Sequence, residues 1–160
     1  MNTKLRICPL VLVAMFASCA PVRNERMSKN AFSEYEIPID QEIIWSDCLN
    51  QKEANYLVFF YAETCGHCHE IMGDVLEFSR SDIIKTYFSD IKKGEEKLPI
   101  SNNVDETLGI TEINDFFIAG TPTVIEVYEG MVIANIPGKD ECLTFLNDQR
   151  MNDKSNIIIA

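Results

Sequence analysis

Residues 56–69, Tyr56-Leu57-Val58-Phe59-Phe60-Tyr61-Ala62-Glu63-Thr64-Cys65-Gly66-His67-Cys68-His69, carry most of the information about the fold. The first seven are apolar at consecutive rather than alternating positions, which predicts a central strand covered on both faces. From Gly66 to about Ser79 the sequence predicts a helix, because apolar residues recur at the spacing of one helix face: Cys68, Ile71, Met72, Val75 and Leu76. The stretch therefore predicts a strand that passes directly into a helix near Cys65.

Two thiols at such a junction can close a small disulfide and take part in redox chemistry. Cys65 is expected at the exposed start of the helix, where unpaired N–H groups and the helix dipole favour a thiolate. His67 would add to this stabilisation if it is protonated or donates a hydrogen bond. Cys68 falls on the buried stripe of the helix. The pattern thus predicts Cys65 as the nucleophile, Cys68 as the resolving cysteine and His67 as a residue that tunes the thiolate.

The same residues fit two other chemistries. Cys65-Gly66-His67-Cys68-His69 matches C-x-x-C-H, which attaches c-type haem with His69 as axial ligand. A zinc site needs four ligands, so the two cysteines and one histidine would have to recruit Cys48 or Cys142. The apolar strand ahead of Cys65 favours the redox interpretation, and we expect neither a cofactor nor a metal. Cys48 and Cys142 are expected to be buried as small apolar residues.

Length and charge narrow the function classes. The chain has 160 residues, 46% of them hydrophobic, which indicates one domain with a real core. Its net charge is −11, which argues against a nucleic-acid partner because phosphates would be repelled. The same charge argues against polybasic attachment to anionic lipid.

The N-terminus has the pattern of an export signal. Lys4 and Arg6 precede an apolar stretch, residues 7–17, that is too short to span a bilayer. Phe16-Ala17-Ser18-Cys19 resembles a bacterial lipobox, with Phe16 where Leu is usual. We therefore expect a lipoprotein signal peptide at 1–18, lipid on Cys19, a flexible tether at 19–33 and an extracytoplasmic position on the bacterial cell membrane. Plain secretion and an uncleaved anchor are the alternatives.

The remaining elements are predicted from pattern and from turn residues. The folded domain is expected to cover 34–150, followed by a tail at 151–160 that either adds to a sheet edge or stays mobile. Strands are predicted at 34–39, 56–62, 83–89, 121–128 and 131–136. Helices are predicted at 40–52, 66–79 and 111–116 and from near Asp140, with a surface loop at 92–103.

Three segments resemble the thioredoxin superfamily over about residues 39–149. Val58 to Cys68 is similar to the active-site strand and loop of that superfamily. Gly120-Thr121-Pro122-Thr123 is similar to its cis-proline segment. Gly130, Gly138 and the last helix are similar to its C-terminal hairpin and helix. The resemblance implies an α/β thioredoxin fold, with a mixed sheet of four to five strands flanked by helices on both faces.

The resemblance also implies an activity, that of a thiol–disulfide oxidoreductase. The partners would be exported proteins with thiols or disulfides and a membrane redox partner for recycling. Pro122 would follow a cis peptide bond, and the backbone of Thr121 would contact an extended substrate strand. Gly66 and His67 are the pair found between the cysteines of protein disulfide isomerases, but the direction of transfer stays open between oxidase, reductase and isomerase.

Two positions depart from the superfamily's pattern. Thr64 stands where thioredoxins usually have Trp, and Phe59 stands where they have a buried Asp that helps to deprotonate the second cysteine. The proton acceptor of Cys68 is therefore open between Glu63, a water molecule and no dedicated base. A rival interpretation is a non-catalytic thioredoxin-fold lipoprotein that binds a partner protein.

Overall fold

The computed structural model describes the backbone of residues 35–159 and the side chains of residues 35–153. Its strands are β1 (Asn55–Tyr61), β2 (Lys85–Asp90), β3 (Thr123–Tyr128) and β4 (Met131–Pro137). Its α-helices are α1 (Gly66–Ser79) and α2 (Lys139–Ile159). Short 3-10 helices lie at Trp45–Asp47, Val104–Thr107 and Ile113–Asp115. The signal peptide, the lipidated Cys19 and the tether predicted at 1–33 lie outside the described residues.

Strand β1 is the centre of a four-stranded mixed sheet with the order β2-β1-β3-β4. It runs parallel to β2 and antiparallel to β3, so that Val58 pairs with Tyr87 on one side and with Ile125 on the other. Six of its seven residues, Tyr56 to Tyr61, are buried. The prediction of a strand covered on both faces is confirmed. A continuous apolar run fits this position because neither face of the strand meets water.

Each face of the sheet has its own apolar core. Leu57, Phe59 and Tyr61 point to the face on which α1 and α2 pack. Tyr56, Val58 and Phe60 point to the other face, which is covered by residues in or next to the short 3-10 helices: Trp45, Cys48, Leu49, Phe116 and Ile118. The predicted fold class is confirmed: an α/β thioredoxin fold with a mixed sheet flanked by helical segments on both faces. The α-helices, however, cover only one of those faces.

The strand predicted at 34–39 is wrong for its described residues, 35–39. The chain instead reaches the sheet slightly later, at a single parallel bridge between Glu42 and Phe88. There the Phe88 N–H donates to Gln41 O over 2.8 Å, and the Ile43 N–H donates to Phe88 O over 2.9 Å. Pro38 has no N–H to donate to a strand ladder, which disfavours regular pairing within the predicted stretch.

The helices predicted at 40–52 and 111–116 are also wrong, since each contains only one 3-10 turn. In the first, Trp45 is buried and its indole N–H donates to Glu96 O over 2.8 Å. In the second, the chain turns to bury Phe116 completely, with its ring centroid 5.7 Å from that of Phe60. These aromatic anchors fix the path of the chain, and long-range packing outweighs a weak helical pattern.

The predicted hairpin is confirmed, with Glu129 and Gly130 between β3 and β4. Both turn residues have positive φ, 50° at Glu129 and 77° at Gly130, as a two-residue hairpin turn requires. The tail predicted at 151–160 is corrected. Helix α2 continues through residue 151 to Ile159, so residues 151–159 are helical and do not join a sheet edge. Within residues 35–159, no helix is both long and apolar enough to cross a membrane.

We predict that Ile125→Ala lowers the free energy of unfolding by about 2–5 kcal/mol, because Ile125 is 0% exposed in the centre of β3 and its loss leaves a cavity. Ile133→Ala on β4 is the matched control. Ile133 is 42% exposed, so its substitution should cost about 1 kcal/mol or less. Urea denaturation of both variants measures the difference, and equal costs would contradict the described core.

Candidate active site

The end of β1 places Cys65 at the start of α1. After Tyr61 and the buried Ala62 the chain makes a tight turn, in which the Cys65 N–H donates to Ala62 O over 2.9 Å. Cys65 itself is the N-cap of α1 and has extended backbone angles, φ −86° and ψ 107°. Its carbonyl then accepts the His69 N–H over 3.2 Å, the first bond of the helix. The strand-to-helix junction predicted at Cys65 is therefore present.

Cys65 and Cys68 are joined by a disulfide, with their Cα atoms 5.2 Å apart. Cys68 is 0% exposed and belongs to the core beneath α1, whereas Cys65 is only partly buried. The predicted asymmetry between one accessible and one shielded sulfur is confirmed. A substrate can therefore approach Cys65 from solvent, while Cys68 stays covered.

The N-terminus of α1 is directed at the sulfur of Cys65. The backbone N–H of Cys68 donates to Cys65 Sγ over 3.1 Å. A cysteine in the N-cap position faces N–H groups that have no partner within the helix. When the disulfide is reduced, this environment stabilises a negative charge on Cys65 Sγ by about 0.3–1 kcal/mol and up to ~2 kcal/mol.

The segment before β3 closes the other side of the site. The carbonyl oxygen of Thr121 lies 3.4 Å from Cys65 Sγ, and the Thr121–Pro122 peptide bond is cis, the isomer that the resemblance implies. This segment is held at two points. The Thr123 hydroxyl donates to Gly120 O over 2.8 Å, and the Gly138 N–H donates to Pro122 O over 2.9 Å. The backbone of Thr121 is thereby fixed beside the disulfide.

A charged cluster that the sequence analysis missed links α1 to α2 at the edge of the site. His67 Nδ1 lies 3.7 Å from Glu70 Oε2, and Lys139 Nζ donates to the same oxygen over 2.7 Å. The hydrogen bond from Lys139 lowers the pKa of Glu70, and the same bond raises the pKa of Lys139. The three-residue spacing of His67 and Glu70 is visible in the sequence. Lys139 is 69 positions from Glu70, and only the fold reveals its contact.

The imidazole of His69 is directed back over the turn, with Nε2 3.0 Å from Glu63 O. In this position the ring nitrogen is paired with a backbone carbonyl group. Haem attachment would require both sulfurs of the C-x-x-C pair as thioethers, whereas here they bond to each other. Within residues 35–153, no group of three or more His, Cys, Asp or Glu side chains is arranged to hold a metal ion. The geometry favours the redox interpretation over haem attachment.

Cys68 belongs to the apolar core cluster beneath α1. Phe59, at the position where thioredoxins have Asp, is 0% exposed and stacks on Tyr61 with ring centroids 6.1 Å apart. Tyr61 belongs to the same core cluster, but burial raises the pKa of its hydroxyl, so it stays protonated at neutral pH. Glu63 is exposed. The proton acceptor of Cys68 therefore stays open between Glu63, a water molecule and no dedicated base.

The other two described cysteines are separated by the sheet. Cys48 is buried on the face of the 3-10 helices, and Cys142 is buried on the face of α1 and α2. Burial raises the pKa of both thiols, that of Cys142 to about 12. Both therefore remain neutral thiols at pH 7, and the expectation that they behave as small apolar residues is confirmed.

Solved structures that are similar to this chain include several thioredoxins. Thioredoxin O1 from Arabidopsis thaliana has 19% identity and a TM-score of 0.47, with 70% of this chain and 96% of that chain covered. Thioredoxin f2 from Chlamydomonas reinhardtii has 17% identity and a TM-score of 0.43, with 67% and 93% covered. Mitochondrial thioredoxin 3 from Saccharomyces cerevisiae has 15% identity and a TM-score of 0.45, with 68% and 93% covered. No protein-family profile and no curated protein sequence matches this chain.

The topology of the chain itself defines the class of protein. A parallel β1-α1-β2 unit with C-x-x-C at the start of α1 is followed by a cis-proline, an antiparallel hairpin and a last helix. This is a thioredoxin fold with a dithiol–disulfide pair at its characteristic place.

We predict that, of the four cysteines in the described part of the chain, only Cys65 reacts rapidly with iodoacetamide in the reduced protein, with a pH midpoint below about 8.5, the pKa of a free cysteine. The reason is that Cys65 Sγ faces the N-terminus of α1, whereas Cys48, Cys68 and Cys142 are buried. Mass spectrometry of the alkylated peptides at a series of pH values measures this. Cys65→Ser is the control and should abolish the fast reaction. A midpoint at or above 8.5 would contradict the proposed stabilisation of the thiolate.

Proposed function

We propose that this protein is a thiol–disulfide oxidoreductase that exchanges disulfides with other proteins through Cys65 and Cys68. The observation that carries the proposal is the environment of one sulfur. Cys65 is only partly buried, and its Sγ accepts the Cys68 N–H over 3.1 Å and lies 3.4 Å from the carbonyl oxygen of Thr121. These contacts combine an activated nucleophile with a fixed backbone edge for a substrate.

In the reducing direction, the thiolate of Cys65 attacks one sulfur of a substrate disulfide. A Cys65–substrate bond forms, the substrate disulfide breaks, and the other substrate sulfur leaves as a thiolate that takes a proton. Cys68, once deprotonated, attacks Cys65 and releases the remaining substrate thiolate. Two electrons have then passed to the substrate, and Cys65–Cys68 is a disulfide again. The oxidising direction is the reverse sequence, and the geometry serves both.

Two neighbouring residues have supporting roles in this proposal. The backbone of Thr121, held rigidly before Pro122, aligns an extended substrate segment by β-strand addition. His67 is exposed at the first turn of α1 and adds positive charge or a hydrogen-bond donor near the Cys65 thiolate. Its contact with Glu70, itself bonded to Lys139, restrains its orientation.

The proposal extends to where the protein works. The lipobox-like segment ending at Cys19 supports export and lipid attachment to a bacterial cell membrane, with the catalytic domain on the extracytoplasmic side. Such a compartment permits disulfides in substrate proteins. The partners are then exported proteins that carry thiols or disulfides, together with a membrane redox protein that recycles the Cys65–Cys68 pair.

We predict that Cys68→Ser accumulates a mixed disulfide with protein substrates through Cys65, because the second step of exchange needs the Cys68 sulfur. Non-reducing gel electrophoresis of cells that express the variant should show adducts that dithiothreitol removes. Cys65→Ser is the matched control and should form none. Equal adduct levels in the two variants would contradict an exchange reaction at this site and favour a non-catalytic binding protein.

We predict one two-electron transition when the mature protein is equilibrated in glutathione buffers and its free thiols are trapped. A potential near about −270 mV would identify a reductant that needs an electron supply. A potential between about −120 and −180 mV would identify an oxidase or isomerase. The absence of any two-thiol transition would contradict the proposed function.

We predict that the full chain, expressed in a bacterium, incorporates labelled palmitate and fractionates with membranes. Cys19→Ala should lose the label, because Cys19 is the expected acceptor, whereas Cys8→Ala should retain it as a matched control. Labelling that survives Cys19→Ala would contradict lipid attachment at this position.

A further inference from the structure

A groove of about 630 Å³ runs between α2 and the edge strand β4. Its apolar lining comes from the end of β4 and the second turn of α2: Ile136, Pro137 and Phe145. Its carboxylates come from one stripe of α2: Asp140, Glu141 and Asp148. The three carboxylate residues are exposed, whereas the three apolar residues are half-buried. The groove therefore has an apolar base and an acidic rim.

The groove borders the backbone that follows the cis-proline bond. Pro137 pairs with Thr123, the residue after the cis-proline. The next residue, Gly138, donates its N–H to Pro122 O over 2.9 Å. Pro137, which lines the groove, is thus paired with the same short segment that carries Thr121.

All the described charged residues that line the groove are acidic. No basic residue lies among those that line it within the described part of the chain. Lys139, the adjacent residue at the start of α2, is directed to Glu70 over 2.7 Å on the α1 side. Lys139 Nζ is also 4.0 Å from Asp140 Oδ1. Among the described residues that line the groove, no basic one is available to Glu141 or Asp148. An occupant that brings positive charge would compensate these carboxylates.

We propose that this groove binds a cationic segment of the substrate protein that flanks the reactive cysteine. An apolar side chain of that segment packs against Phe145 and Pro137, and a Lys or Arg beside it pairs with Asp140 or Asp148. The proposal rests on the proposed function, since it names the class of substrate that the redox site selects. Acidic segments are disfavoured at the groove because like charges would be brought together.

The whole chain carries a charge of −11, so general attraction has to be separated from the groove. General attraction acts over the entire surface and depends on net charge. A contact made in the groove, by contrast, is weakened only when the charge is removed from a residue of the groove. Two variants with the same change in net charge therefore distinguish these effects: Asp140→Asn/Asp148→Asn in the groove and Asp105→Asn/Glu112→Gln, on exposed residues of the face that carries the 3-10 helices.

The experiment uses the reduced mature protein and two peptide disulfides of identical sequence, except that Lys flanks the cysteine in one and Glu in the other. Rates of peptide reduction are measured by stopped flow at low and high salt. At low salt we expect the Lys peptide to react ~10-fold faster than the Glu peptide. The groove variant should reduce this preference to ~3-fold or less, and the control variant should retain most of it. High salt should weaken the preference in all three proteins.

A small uncharged disulfide, 2-hydroxyethyl disulfide, reports on the redox chemistry alone. All three proteins should reduce it at the same rate, which also shows that the variants are folded. If the wild-type protein fails to reduce it, the proposed function fails. If the wild-type protein reduces it but does not distinguish the peptides, or if both double variants lose the preference equally, the groove proposal is overturned.

A second variant is needed in case the Asp140→Asn substitution disrupts the first turn of α2. Asp148→Lys leaves Asp140 in place and reverses one charge in the middle of the helix, so it should bring the preference to ~1 or invert it. Sedimentation of the wild-type protein tests another occupant. A dimer that the groove variant dissociates would mean that a second copy fills the groove, and this would overturn the proposal.

Discussion

Strand β1 is paired on both edges and buried on both faces, and the redox pair lies where this strand ends. Val58 illustrates the constraint, because its backbone lies between Tyr87 of β2 and Ile125 of β3. Phe59 is fully buried on the side of α1 and α2, and Phe60 is fully buried on the other side. A strand held in this way has no freedom to shift its register. Because α1 begins directly after this strand, the fixed strand also fixes the position of the first turn of α1 and of the Cys65 sulfur.

The active site joins two segments that are distant in sequence. Cys65 and Thr121 are 56 positions apart, yet their sulfur and carbonyl oxygen are 3.4 Å apart. The antiparallel pairing of β1 with β3, which sets Phe60 opposite Thr123, brings the cis-proline segment to the end of β1 where Cys65 lies. The positions of the Cys65 sulfur and of the Thr121 carbonyl group thus depend on the same strand register.

The surroundings of the disulfide divide into an apolar and a charged side. Cys68 faces the core, and Phe59 stands in that core at the position where thioredoxins have Asp. Around Cys65, by contrast, the start of α1, His67 and the Glu70–Lys139 pair form a polar surface. Lys139 of that surface is followed in α2 by Asp140, which lines the acidic groove. The partly buried sulfur of Cys65 thus lies on the polar side of the disulfide, and the buried sulfur of Cys68 lies on the apolar side.

Patterns along the chain were enough to predict β1, α1, the β3–β4 hairpin and the asymmetry of Cys65 and Cys68, because consecutive apolar residues, helical spacing and a tight glycine turn act over short distances. Features that depend on residues far apart in the chain became visible only in the folded protein. Glu42 reaches Phe88 in a single bridge, Trp45 is anchored on Glu96, and α2 extends over the segment expected to be a tail. The bond from Lys139 to Glu70 and the acidic groove beside Pro137 likewise arise from packing between separate elements, which periodicity along one element does not encode.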